Sequence, residues 1–362
     1  MSSEIVLQLS HKPGNPRNSE GAFLNLADGR IVFAYTRFYG SSWSDNATAT
    51  LVARFSEDGG RTWSGKDALL VSNEGGFNVM SPSLVRLKNK NIGLFYLRKN
   101  DLHDCRMFMR VSSDEAKTWS EPRRCIPAPG YFVVNNDRVV RLGNGRLIIP
   151  SAYHRPRLED DTETSAGVDW RAVTLFYYSD DEGSTWTESD DWWGMPVASR
   201  SGLQEPGVVE LKDGSLYAWA RTDTGRQWQM TSRTRGRRWS PPAPSKFLSP
   251  CSPLSIKRIP ATGDLLAIWN DRSRRWKPRQ RYAESSWGRT PLVAAISRDE
   301  GRTWRNHRIL EADPRRGYCY VALHFTSDTV LLAYCNGGGD GGVLQDSCIR
   351  RMTIDSLYHR AT

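Results

Sequence analysis

The chain has 362 residues, 38% of them apolar and 25% charged, the balance of an ordinary globular protein and not of a disordered or fibrous one. Lys and Arg outnumber Asp and Glu by 50 to 40, a formal charge of +10, but the basic residues are scattered and form no run of the kind a nucleic-acid reader carries. No apolar run approaches the roughly 20 residues of a membrane-crossing helix, and the 6 cysteines contain no CxxC pair, which argues against a zinc site or a small disulfide framework.

The N-terminal "MSSEIVLQLSHKPGNP" has neither the basic start nor the apolar stretch of a signal peptide. As it stands the sequence implies a cytoplasmic protein, or a secreted or periplasmic one if a leader has been removed. Its "EIVLQLS" reads as a strand. Six similar segments then follow along the chain: "SEGAFLNLADGRIVFAYTR", "MSPSLVRLKNKNIGLFYLR", "NNDRVVRLGNGRLIIPSAY", "LQEPGVVELKDGSLYAWAR", "CSPLSIKRIPATGDLLAIW" and "CYVALHFTSDTVLLAYC". Each reads as a strand, a short turn and a second strand.

After each of the first five segments comes a third apolar run ending in a short box. The boxes are "SEDGGRTW" at Ser56, "SSDEAKTW" at Ser112, "SDDEGSTW" at Ser179, "SRTRGRRW" at Ser232 and "SRDEGRTW" at Ser297. Ser and Asp side chains cap backbone amides, Gly supplies positive φ, and the Trp buries a large apolar face, so the box reads as a hairpin turn. Thr234 replaces the Asp in the fourth copy and Ala116 the Gly in the second, wear that suits a structural repeat. Asp58, Asp114, Asp181 and Asp299 are accordingly assigned to folding and not to catalysis.

Repeats of this length are the signature of a propeller. The expectation is an all-β fold, a six-bladed β-propeller of four-stranded antiparallel blades that spans residues 1–362 as a single domain. "EIVLQLS" is expected to complete the last blade and close the ring. The residue eight before each turn Asp, or its equivalent, is comparable between blades. These residues are Glu20, Ser81, Asn136, Glu205, Ser252 and Tyr320, a ring of polar groups suited to a ligand site at the channel mouth.

These boxes and inner-strand repeats resemble the sialidase (neuraminidase) superfamily, whose boxes are called Asp-boxes or BNR repeats, and the likeness spans the whole chain. The resemblance implies an exo-acting glycoside hydrolase cleaving a terminal sialic acid or related acidic sugar. It implies Glu205, in "LQEPGVVELKDG", as the glutamate that activates a tyrosine nucleophile. Arg221, sixteen residues later, matches the second carboxylate-binding arginine, and Asp45, in "YGSSWSDNATAT", the acid/base. Tyr320 matches the nucleophile, with Tyr318 as its rival. Asp45 could protonate a leaving oxygen if burial raises its pKa.

Two departures stand out. The first inner strand reads "NPRNSEGAF" where an Arg-Ile-Pro motif is expected, leaving Arg17 and adding Glu20. Ala295 stands where the third arginine is expected, so that Arg281 or Arg289 would have to substitute. Glu20 therefore opens an alternative, a carboxylate pair with Glu205 or Asp45 acting on a different, non-sialic terminal sugar as glycosidase or lyase. A non-catalytic carbohydrate-binding propeller is the other alternative. Asn136, Asp137 and Arg138 are candidates for sugar hydroxyls or a carboxylate, and Trp192 and Trp193 for stacking on a sugar face. The implied partner is a glycan or glycoconjugate substrate, with no nucleic acid, membrane or oligomeric state indicated. No metal or organic cofactor is implied.

Overall fold

The computed structural model describes residues 3–157, 168–276, 283–339 and 341–359. Within these, apart from two single-turn 3-10 helices, all regular structure is β, in antiparallel hairpins whose apolar strands are covered on both faces. The strand Ile31–Phe38 shows the pattern: Val32, Phe33, Ala34 and Tyr35 are all buried, since each sheet packs between two others.

Four sheets are four-stranded blades. One joins Asn18–Asn25, Ile31–Phe38, Ala49–Ser56 and Ala68–Val71 in sequence order; a second joins Gln204–Glu210, Leu216–Arg221, Arg226–Ser232 and Ala243–Leu248. A third joins Ser255–Arg258, Leu265–Asn270, Leu292–Ser297 and Arg305–Glu311. The fourth closes the ring as expected: Ser3–Leu9 pairs with Ser347–Thr353, outside Thr329–Cys335 and Cys319–Phe325.

The expectation of six blades is corrected here. The propeller has four four-stranded blades, not six, and the residues between Asn78 and Glu188 form one continuous nine-stranded sheet. The short strand Tyr131–Val133 causes the fusion. It pairs antiparallel with Leu147–His154 on one side and meets Cys105 in a parallel bridge on the other, so the second and third repeats share a sheet. The third repeat also lacks a full inner strand. Only Val140–Arg141 pairs there, because the chain turns at Asp137, whose φ is +57°.

Every box starts on the last residue of a strand: Ser56, Ser112, Ser179, Ser232 and Ser297. In the first, Asp58 Oδ1 accepts from the amides of Arg61 and Thr62, while Ser56 Oγ accepts from the Gly60 amide. Box tryptophans pack across to neighbouring elements. Trp239 stacks on Phe176 at 3.8 Å and Trp186 meets Phe95 edge-on at 6.0 Å.

Candidate active site

The inner strands carry a repeated irregularity that builds the site. Ser19 faces Thr36 and Gly21 faces Tyr35, so Glu20 is an extra, bulged residue. The same slip falls between Met80 and Ser83, between Gln204 and Gly207, and between Cys319 and Ala322. Glu20, Ser81, Glu205 and Tyr320 take φ of +56°, +55°, +45° and +59° at these bulges. A bulge re-aims a side chain, and positive φ on non-glycine residues is strain that clusters at functional sites. All four side chains line one cavity of about 60 Å³, joined by Asp45, Lys99 and Asn135.

At its centre Tyr320 Oη donates to Glu205 Oε1 at 3.2 Å, and Arg221 Nη2 donates to the same oxygen at 2.9 Å. Glu205 Oε2 is buried without a partner. Burial, and then the charge of Glu205, push the Tyr320 phenol well above its ordinary value. The tyrosine can therefore become a nucleophile only if its proton passes to a base as it attacks, and Glu205 is in place for that.

Arg17 is fully buried. Its Nε donates to Ser19 Oγ at 2.9 Å, Nη1 to Trp43 O at 3.2 Å and to Asp45 Oδ1, and Nη2 to Glu20 Oε1 at 2.9 Å. Ser81 Oγ completes Glu20 by donating to Oε2 at 2.6 Å. Burial pushes the Glu20 carboxyl upward, against the opposing pull of Arg17. Asp45 behaves in the opposite way to the sequence expectation. Its side chain is 57% exposed at the rim; desolvation by its surroundings would raise its carboxyl, but the charges of Arg17 and Lys99 outweigh that and hold it at about 2. In the free protein Asp45 is thus an ionised partner of Arg17, not a proton donor in waiting.

Arg289 stands where a missing arginine was sought. Its guanidinium lies 5.5 Å from the Tyr320 ring centroid, with Nη1 donating to Cys319 Sγ at 3.1 Å. It shares the Cys251 carbonyl with Arg221, at 3.4 and 3.3 Å. Arg281 lies outside the described residues.

Several other candidates are placed elsewhere. Tyr318 packs in the apolar core against Tyr334, at 6.3 Å, and does not line the cavity. Arg138 donates from Nη2 to Leu254 O at 2.7 Å, and burial depresses its guanidinium to about 10. Asp137 accepts from Lys257 Nζ at 2.7 Å and from the Leu323 amide at 3.0 Å. Both residues line a separate cavity. Asn136 acts as a tie, its Nδ2 donating to Gly21 O at 2.7 Å and Tyr320 O at 3.2 Å. Trp193 is partly buried and bonds Trp239 O, whereas Trp192, 63% exposed, borders a third cavity.

Sequence reasoning missed Lys99 and Asn135. Lys99 Nζ donates to Asn46 Oδ1 at 2.9 Å and to Asp45 O at 3.2 Å, fixing the rim loop. Asn78 Nδ2 holds the same loop through Asp45 O and Ala47 O, both at 2.8 Å. Asn135 reaches the cavity from the turn after Tyr131–Val133. For Lys99 the available signal was a lysine at the buried end of the strand Ile92–Lys99, whose first six residues are apolar or aromatic.

Residues 67–332, well over half of the chain, match the BNR repeat-like domain family. An anhydrosialidase of Macrobdella decora is 28% identical over 203 residues, 51% of this chain and 24% of the relative. A sialidase of Bacteroides fragilis (strain YCH46) is 23% identical over 380 residues, 95% of this chain and 61% of the relative. The chain thus spans about a quarter and about three fifths of the length of these two curated relatives. A protein of unknown function from Dyadobacter fermentans DSM 18053 shares the fold, with a TM-score of 0.71 at 18% identity over 97% of this chain and 99% of that one. With its boxes, bulged inner strands and sequence match in agreement, the chain belongs to the BNR repeat-like domain family.

Proposed function

We propose that this chain is an exo-acting glycoside hydrolase of the sialidase type, in which Tyr320 is the nucleophile and Glu205 its base. The carrying observation is the 3.2 Å hydrogen bond from Tyr320 Oη to Glu205 Oε1 in a cavity fed by bulged inner strands. Tyr320 Oη attacks the anomeric carbon as its proton passes to Glu205, and the bond to the leaving oxygen breaks. Asp45, at the rim, protonates that oxygen once the substrate loosens its pair with Arg17 and it has taken up a proton; it then acts as base for the water that frees the sugar. The names of the two curated relatives, a sialidase and an anhydrosialidase, support the reaction class.

A binding-only propeller would be favoured by Tyr320 and Glu205 standing too far apart to bond, and they do not. The acidic-sugar form of the reading has two guanidinium groups beside Tyr320, Arg221 and Arg289. A second reading, a glycosidase for a non-sialic terminal sugar, is favoured by Arg17 being already held by Glu20 and Asp45. Glu20 and Glu205 would be its carboxylate pair, since both line the cavity.

The test is hydrolysis of a panel of fluorogenic exo-glycosides that includes an α-sialoside. At least one turns over, Tyr320→Phe lowers kcat by about 10³-fold or more, and Glu205→Gln lowers it by about 10²–10⁴-fold. Unimpaired turnover by Tyr320→Phe would rule out the tyrosine mechanism and leave the carboxylate pair.

A further inference from the structure

We propose that the well beside Tyr320 is built to receive a sugar hydroxyl and to refuse a carboxylate, with Glu20 and Asn135 as the residues that discriminate. This rests on the reading of Tyr320 and Glu205 as the reacting pair, which places the sugar over the well.

Three observations carry it. First, among the described residues the cavity wall contains Glu20, Asp45, Glu205 and Lys99 but no arginine. Lys99 is turned to the Asp45 loop. Arg17 lies behind Glu20, its side chain 1% exposed and engaged with Ser19, Trp43, Asp45 and Glu20. The chain's own carboxylate thus occupies the seat that a substrate carboxylate would take on that guanidinium. Second, Asn135 is buried, and its Oδ1 accepts from the Asn136 amide at 2.6 Å. That bond sets the orientation of the side-chain amide and leaves Nδ2, a buried donor, without a partner on the cavity wall. Third, about 60 Å³ accommodates a substituent and not a pyranose ring.

A hydroxyl both donates and accepts, so it can take a hydrogen bond from Asn135 Nδ2 and give one to a free lone pair of Glu20 or Glu205 Oε2. A carboxylate only accepts, and in this well it would face three carboxylates of the protein, while Arg221 and Arg289 beside Tyr320 are already engaged by Glu205 Oε1, Cys319 Sγ and the Cys251 carbonyl. Sites that hydrogen-bond a substrate hydroxyl discriminate strongly, because a wrong group leaves buried polar atoms unpaired. The substrate class is therefore a glycoside whose reacting sugar presents a hydroxyl-bearing substituent at this point.

Calorimetric titration with two probes tests this: N-acetylneuraminic acid and its neutral analogue with the carboxylate reduced to hydroxymethyl. The parent should bind the neutral probe at least tenfold more tightly. Glu20→Gln, which removes the carboxylate masking Arg17, should shift that ratio at least tenfold toward the acid. Asn135→Ala should weaken the neutral probe about tenfold and leave the acid unchanged. A parent that prefers the acid, a ratio within twofold of the parent's in Glu20→Gln, or no binding of either probe by any variant would overturn the proposal. Tyr320→Phe separates the two claims. It should retain the affinity pattern while losing turnover, and continued turnover would sink the nucleophile assignment alone.

Discussion

At Gly60, where φ is +82°, a Cβ would stand 2.6 Å from Leu331 Cδ1 on the neighbouring blade. The box glycine therefore serves both the turn and a close approach between sheets. Gly236 does the same against Ile148, and Gly183 makes as close an approach to Met109 within the nine-stranded sheet. Ala116 takes the left-handed conformation, φ +66°, at the equivalent place, where its methyl group joins a buried apolar cluster. Gly60→Ala should destabilise the protein by about 2–4 kcal/mol, the sum of left-handed strain and overpacking. Urea unfolding measures it, and a loss below about 0.5 kcal/mol would show that Leu331 simply moves aside. Catalytic candidates were legible at this scale only where counting along a regular strand is reliable. Glu20, Ser81, Glu205 and Tyr320 all fall eight residues before a turn and all sit on bulges, but in the third repeat the positive φ falls on Asp137, one residue past Asn136. Asn135 and Lys99 enter the well from other elements, and a periodicity within one strand cannot report that.

The box hairpin is the element the sequence describes most fully, because its chemistry is local. Asp114 and Asp299 are held at about 2, chiefly by the Thr118 and Thr303 hydroxyls. At Asp58 slight burial pushes upward, and the amide and hydroxyl of Thr62 with Ser56 outweigh it, again to about 2. A folded-state pKa below the ordinary aspartate value of about 4 adds stability above that value. The contribution is lost as pH falls from about 4 toward 2. Urea midpoints should accordingly fall further below about pH 4 as these aspartates take up protons, and Asp114→Asn should flatten that part of the fall. An unchanged slope in the variant would assign the acid sensitivity to other carboxylates. Thr234 in the fourth box accepts from the Arg238 amide at 2.7 Å and so keeps the turn without a titrating group.

Across the whole molecule, the closing strand and the antiparallel all-β character follow from apolar alternation, and the N-terminal strand pairs with Ser347–Thr353 as its pattern implies. The blade number does not follow, because sequence repeats count hairpins whereas blades are counted by hydrogen bonds. Tyr131–Val133, three residues without any repeat signature, joins two repeats into the nine-stranded sheet and brings Tyr131 and Asn135 to the cavity beside Glu20. Charge placement is likewise a property of the assembled ring: Arg17 is neutralised by Glu20 and Asp45 from the same blade and its rim loop, while Tyr320 meets Glu205 across 115 residues of chain. The most direct measurement on the central claim is covalent trapping with an activated fluorinated glycosyl fluoride of whichever sugar turns over, followed by peptide mass spectrometry. The account predicts a single glycosyl adduct on Tyr320, absent from Tyr320→Phe. An adduct on Glu20, Asp45 or Glu205 would contradict it.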